Sequence, residues 1–187
     1  MSAQLRDATR LQEISSAFVA GKISRDEARS AVIQLIFERI GCSRVSLWRF
    51  DGEPGALHLL CFAACAVGGA LDTRERRLTS AEYGDYFNAL IATGMYVSDD
   101  AQADAPLQPM RDSYLVPHDV GALLDAVFMV NGRAYGMVCC EQTGAPRTWR
   151  RAEVAAVRAI VSKLAMLMAG ADDPALWGSP SVPMAPM

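Results

Sequence analysis

Histidine is nearly missing from this sequence, with two among 187 residues, and no two cysteines are spaced C-x-x-C. That excludes the common zinc ribbons and the thioredoxin-type redox pair. The five cysteines (Cys42, Cys61, Cys65, Cys139 and Cys140) are odd in number, so they cannot form a fully paired disulfide framework and read as free thiols. An excess of charge of one sign is also lacking. Eighteen Lys and Arg against 21 Asp and Glu leave a net charge of -3, without the basic surplus of a nucleic-acid or anionic-membrane binder. Ser2-Ala3-Gln4-Leu5-Arg6-Asp7 has no apolar core for a signal peptide, and charges interrupt every apolar stretch. No membrane span is expected, and a cytoplasmic location is. No internal repeat is visible.

What is present suffices for one hydrophobic core: 51% of the residues are hydrophobic, and the length is too short for two ordinary domains. Leu11, Ile14 and Phe18 share a helical face that ends at Gly21. Ser24 and Glu27 form an S-x-x-E capping box that opens a second helix, with a buried stripe of Ala28, Ala31, Val32, Leu35, Ile36 and Ile40. Gly41 closes it. The β-branched and aromatic run Ser43 to Phe50 predicts a strand, Asp51-Gly52 a turn, and Ala56 to Cys65 a second strand. Thr79 and Glu82 suggest another capping box, for a helix carrying Tyr83, Tyr86, Phe87, Leu90 and Ile91 that ends at Gly94.

The segments Leu123 to Val130 and Arg133 to Gln142 flank Asn131-Gly132, the pair best suited to a two-residue hairpin turn. Both arms are apolar on nearly every residue, so the hairpin belongs mid-sheet with both faces covered. In Thr148 to Gly170, Val154, Val157, Ile160, Val161, Leu164, Leu167 and Met168 fall at helical spacing, and alanines fill the opposite face. That helix needs two apolar neighbours: the sheet and a partner helix, for which a second subunit is one source. Residues 171–187 are proline-rich and aperiodic, as expected of a disordered tail.

Three pieces, in this order, resemble the GAF domain family: SRVSLWRFDGEPG its opening strand, LTSAEYGDYFNALIATGMYVSDDAQAD its middle helix and short strand, and GALLDAVFMVNGRAYGMVCCEQTGAPRTWRRAE its closing hairpin and last helix. The resemblance spans Leu11 to Gly170. It implies an α+β fold in three layers, α/β/α, with a central antiparallel sheet of five or six strands. Terminal helices would cover one face and a ligand pocket would lie on the other. The expected organisation is an N-terminal dimerisation helix over 1–23, the GAF domain over 24–170, and the tail over 171–187. The resemblance further implies a non-catalytic sensory domain of bacterial signal transduction. Such a domain binds a small molecule, relays through its terminal helices as a homodimer, and acts on an output partner in trans or within a longer parent chain.

Period-two alternation puts Leu123, Asp125 and Val127 on one face of their strand, and Met137, Cys139 and Glu141 on one face of the next. By resemblance to bilin-binding members these sets point into the pocket, joined by Trp48, Glu82, Tyr83, Tyr86 and Tyr114. Such a site favours a ligand with hydrogen-bond donors or positive charge; the alternative is that these aromatics are plain core and the acids sit near water. No cofactor is named by the sequence. Met110 and Arg111 occupy the place of the Cys-His attachment of plant-type phytochromes, which excludes covalent pigment there, and the Asn-Lys-Phe-Asp-Glu set of cyclic-nucleotide-binding members is absent. His58 and His118 are weak candidates for heme ligation. Asp99, Asp100 and Asp104 lack calcium-loop spacing, so no metal is expected. Arg74, Arg76 and Arg77, and Arg147, Arg150 and Arg151, read as solvated surface. Two other functions remain open: a thiol enzyme resembling the GAF-fold methionine sulfoxide reductases, with Cys139 as nucleophile, and a ligand-free dimerisation scaffold. Asp125 and Glu141 would raise the Cys139 thiol pKa, the wrong direction for the enzyme.

Overall fold

A computed structural model describes residues 2–53, 55–71, 73, 76–130 and 133–169. Helices α1 (Ala3–Val19) and α2 (Arg25–Ile40) lead into strands β1 (Arg44–Asp51), β2 (His58–Ala66), β3 (Gly69–Ala70) and β4 (Arg77–Thr79). Helix α3 (Gly84–Thr93) and β5 (Met95–Ser98) follow, then a 3-10 turn (Ala105–Met110) and a π-helical turn (Arg111–Leu115). The long strands β6 (Val120–Val130) and β7 (Arg133–Thr143) and helix α4 (Arg151–Ala169) complete the chain. The Asn131-Gly132 turn, the 171–187 tail and Arg74 lie outside the described residues.

Every strand pairing is antiparallel, in the order β3-β2-β1-β7-β6-β5, with β4 beside β2. The sheet therefore has seven strands where five or six were expected. The difference comes from β3 and β4, whose two or three residues are too few to show a period. β6 and β7 sit inside the sheet; β6 is buried on ten of its eleven residues and β7 on seven, with the other four half-buried, as their apolar runs require.

The sheet divides the core in two. Val45 and Leu47 of β1, Leu124, Ala126 and Phe128 of β6 and Val138 and Cys140 of β7 face α1, α2 and α4. Trp48, Leu123, Val127, Met137 and Cys139 face α3 and the helical turns. This is the three-layer arrangement. Helix α2 begins with the Ser24–Glu27 capping box and ends at Gly41 with φ 63°, a left-handed conformation that glycine adopts without a Cβ clash. Besides the expected stripe it buries Ile33, while Ala31 is only half-buried.

Two expectations need correction. Helix α3 starts at Gly84, because Thr79 belongs to β4 and pairs with His58. The Thr79 hydroxyl still accepts the Glu82 N–H at 3.2 Å and donates to the Glu82 carboxylate at 2.7 Å, but this closes a turn ahead of the helix. The second apolar neighbour of α4 is α1, with α2, of the same chain: Leu11 and Ile14 are buried in the same cluster as Val157, Ile160 and Leu164. Among the described residues no helix is long and apolar enough to cross a membrane.

Candidate functional site

On the sheet face away from the terminal helices, three adjacent strands present polar side chains in rows fixed by their register. Arg44 lies opposite Glu141, and Glu141 opposite Leu123. One row along, Ser46 lies opposite Cys139 and Cys139 opposite Asp125; one further, Trp48 opposite Met137 and Met137 opposite Val127. Glu141 is 2% exposed and Asp125 1%, so both acids are enclosed.

Each acid has a tyrosine. The Tyr86 hydroxyl of α3 donates to Asp125 Oδ2 at 2.7 Å and lies 3.4 Å from Met137 Sδ. The Tyr114 hydroxyl donates to Glu141 Oε1 at 2.6 Å, and Arg44 Nε to Glu141 Oε2 at 2.8 Å. The indole N–H of Trp48 donates to Ser46 Oγ at 2.7 Å. Two polar atoms in this enclosure have no hydrogen bond of regular geometry: Asp125 Oδ1 and Arg44 Nη2. The Cys139 thiol sits beside the Asp125 carboxylate but does not fully compensate its burial.

The electrostatic consequence is large for Asp125. Burial pushes its carboxyl up from 3.8 to about 7, against the contrary pull of the Cys139 and Tyr86 hydrogen bonds and with a further push from Glu141. Burial and then Asp125 raise the Tyr86 hydroxyl well above its usual range, and burial and then Glu141 do the same to Tyr114. The Cys139 thiol is also raised well above its usual value, first by burial and then by Asp125 and Glu141. It therefore stays protonated at neutral pH, which is unsuited to thiolate attack.

Of the residues singled out in the sequence, the fold brings together Trp48, Tyr86, Leu123, Asp125, Cys139, Glu141 and, through its hydroxyl, the half-buried Tyr114. Tyr83 is half-buried at the rim, its hydroxyl 3.4 Å from Ser113 Oγ. Glu82 stands apart, exposed and bonded to Thr79. Ser46 and Arg44 were missed, although they lie two and four residues before Trp48 along β1. Nothing in the sequence indicated that Arg44 would serve Glu141 across 97 residues.

The other candidate ligands have structural partners. His58 contacts Arg77 at 2.9 Å, and the His118 ring lies 4.9 Å from that of Tyr114. Asp99 accepts the Trp149 N–H at 2.9 Å, Asp104 the Tyr96 hydroxyl at 2.8 Å, and Asp100 the Ala103 N–H at 3.3 Å. Among the described residues no group of three or more His, Cys, Asp or Glu could hold a metal.

The family model of the GAF domain matches residues 24–168. The chain belongs to the GAF domain family. Similar solved GAF folds include the phycocyanobilin-bound GAF domain of a cyanobacterial phytochrome, 13% identical with a TM-score of 0.68, covering 90% of this chain and 95% of that one. Another is the dark state of a far-red absorbing protein with bound biliverdin IXa, 15% identical with a TM-score of 0.67 and covering 90% and 98%. The photosensory core module of the Stigmatella aurantiaca phytochrome is 17% identical with a TM-score of 0.65; the match covers 89% of this chain and 35% of that longer one. No curated protein sequence matches. At these identities the likeness establishes the GAF fold.

Proposed function

We propose that this GAF domain is a non-catalytic sensory module of bacterial cytoplasmic signalling. It binds a small molecule on the face bearing Asp125 and Glu141 and relays occupancy through its terminal helices as a homodimer. The observation that carries this reading is the Asp125 carboxylate, fully buried on a central strand with no hydrogen bond of regular geometry to Oδ1, inside an enclosure where Arg44 Nη2 also lacks one. An unsatisfied buried polar atom costs about 1–3 kcal/mol, more for charged groups, and a ligand that supplies an N–H to Asp125 and an acceptor to Arg44 recovers it. Small-molecule sites are generally apolar walls with a few such anchors. The raised Cys139 thiol supports the non-catalytic side of the reading.

Entry requires the Tyr114 and Tyr86 hydroxyls to yield their acids. Tyr114 is half-buried on the π-helical turn between exposed Ser113 and buried Leu115, and in this reading a shift of that turn uncovers Glu141. The relay follows from strand alternation: Leu124 and Ala126 flank Asp125 on β6 and pack in the cluster under α4, so a shift of β6 is felt by that helix.

One feature favours a second reading, the ligand-free scaffold, because Tyr86–Asp125 and Tyr114–Glu141–Arg44 largely satisfy one another. A thermal-shift screen with biliverdin, the kind of molecule bound in a similar fold, and with N–H-bearing heterocycles separates the two. The proposal expects a saturable rise in Tm that Asp125→Ala abolishes without loss of fold; at a hundredfold excess over Kd the gain is about 2.7 kcal/mol. No shift from any compound, or an undiminished shift in Asp125→Ala, overturns it and leaves the scaffold.

A further inference from the structure

Arg147, which reads from the sequence as solvated surface, is 21% exposed at its side chain and stands where four elements meet. Its backbone N–H donates to the Asp99 carbonyl just past β5 at 2.9 Å. Nη1 donates to the Gly41 carbonyl at 2.8 Å and to Gln142 Oε1 of β7 at 3.0 Å. Nη2 donates to the Ile40 carbonyl at 2.9 Å and to Glu153 Oε1 at 2.9 Å. The guanidinium carbon lies 4.5 Å from the centre of the Trp149 ring. The two carbonyls belong to the end of α2, where a helix leaves acceptors without intrahelical partners, and Glu153 is the buried acid in the first turn of α4. One rigid, planar fork thus holds the end of α2, the start of α4 and a side chain of the sheet.

Gln142 joins that fork to the acidic face. It follows Glu141 on β7, as Arg44 follows Ser43 at the start of β1, and strand alternation turns Gln142 and Ser43 to the helix side while Glu141 and Arg44 face Tyr114. The helix-side pair is tied as firmly as the other: Gln142 Nε2 donates to Ser43 Oγ at 2.7 Å, the Thr143 N–H donates to the same oxygen at 3.1 Å, and the Ser43 N–H donates to the Glu141 carbonyl at 2.9 Å. With its NH2 on Ser43 and its oxygen on Arg147, the Gln142 amide spans the gap from strand to fork. Arg44–Glu141 and Ser43–Gln142 are successive rungs of one ladder, so a displacement of the first is transmitted to the second through the peptide bonds between them.

We propose that Arg147 is the junction through which the state of the Arg44–Glu141–Tyr114 group reaches α2 and α4 together, an inference that rests on the sensory reading of that face. When Tyr114 leaves Glu141, the end of β7 resettles and carries Gln142 Oε1 with it. A planar guanidinium cannot follow that oxygen and keep its other three acceptors in line, so it releases either the α2 carbonyls or Glu153. Glu153 can be released without being left alone, because Arg150 also reaches it at 2.6 Å from an exposed position. The fork therefore has two arrangements to choose between, which a relay requires.

The test is a double-mutant cycle on the full chain without any ligand, read by amide hydrogen exchange. Tyr114→Phe perturbs the acidic face by removing one hydroxyl, and Arg147→Lys keeps the charge beside Glu153 but not the fork. The probes are the amides of Gly41, which donates to the Phe37 carbonyl at 2.8 Å, and Val154, which donates to the Arg150 carbonyl at 3.1 Å. Tyr114→Phe should change exchange at both by about threefold or more, near the lower end of couplings between linked groups, and that change should vanish in the Arg147→Lys background. A purely structural Arg147 predicts instead that the two substitutions act additively, and additivity overturns the proposal, as does a Tyr114→Phe protein with unchanged exchange at Gly41 and Val154. Gln142→Ala, which removes only the acceptor on β7, should abolish the coupling in the same way and decides the matter if Arg147→Lys loses its native circular dichroism. Because no ligand is added, a failed compound screen leaves this result standing, and a failed cycle removes the junction while leaving the ligand site to its own test.

Discussion

Asp125 concentrates the chemistry of this molecule in one side chain, and its cost of burial has a measurable sign. Its carboxyl is raised from 3.8 to about 7 in the folded state, so the native protein holds a proton that the unfolded chain releases near pH 4. Stability from this group is fully present below about pH 4 and is lost as pH rises through about 7. The loss runs at about 1.4 kcal/mol per pH unit within that window, to a limit of about 4 kcal/mol. Asp125→Asn keeps an acceptor for Tyr86 and cannot ionise. Urea unfolding from pH 4 to 8 should show a one-proton dependence in the parent that flattens in the variant, with the variant the more stable at pH 8. Equal slopes in the two proteins would show that Asp125 ionises in the fold without penalty.

At the scale of elements, the hairpin of β6 and β7 has to enter and leave the sheet within very little space. Gly121, the second residue of β6, passes so close to the segment after β7 that a Cβ there would meet the carbonyl oxygen of Gly144 at 2.3 Å and that of Ala145 at 2.6 Å. Both obstacles are backbone and cannot swing aside. The following residues are equally constrained, since Arg147 holds the end of α2 and the Trp149 indole donates to the Ser98 carbonyl at 3.1 Å. Gly121→Ala should therefore destabilise by about 1–3 kcal/mol, the usual cost of overpacking. Chemical denaturation measures this. A neutral result would mean that the segment between β7 and α4 can move away from the sheet.

For the whole molecule, the proposed dimer depends on what the helical layer leaves uncovered. Arg39 pairs with Asp7 at 3.0 Å and Lys163 reaches Gln12 at 2.9 Å, which together with the Arg147 contacts makes α1 and α4 run side by side in one direction, antiparallel to α2. Their outer surface exposes Leu5, Val19 and Met166, at 55%, 75% and 62%. Part of the apolar surface that motivated a dimer in the sequence is thus consumed inside the chain, and what remains is the pair's outward face. Sedimentation at tens of micromolar should give twice the chain mass, and Met166→Glu should return the monomer with unchanged circular dichroism. A monomeric parent protein removes the dimer from the proposed relay and leaves the ligand site to be judged separately.

The helices, the capping box at Ser24, the central hairpin and the face carrying Asp125 and Glu141 were all legible in the chain, because 3.6-residue and two-residue periods and turn chemistry act within a few residues. Alternation grouped Asp125 with Leu123 and Val127 on one face, and the resemblance to GAF domains put that face on the side of the sheet away from the terminal helices. The partners of those side chains were not legible. Arg44 meets Glu141 only because β1 pairs with β7 across nearly a hundred residues, and no local period encodes which strands become neighbours. The same holds for α4, whose apolar back was evident while the helix that covers it was not. Sequence periodicity determined which side chains share a face, and tertiary pairing decided what each of them meets there.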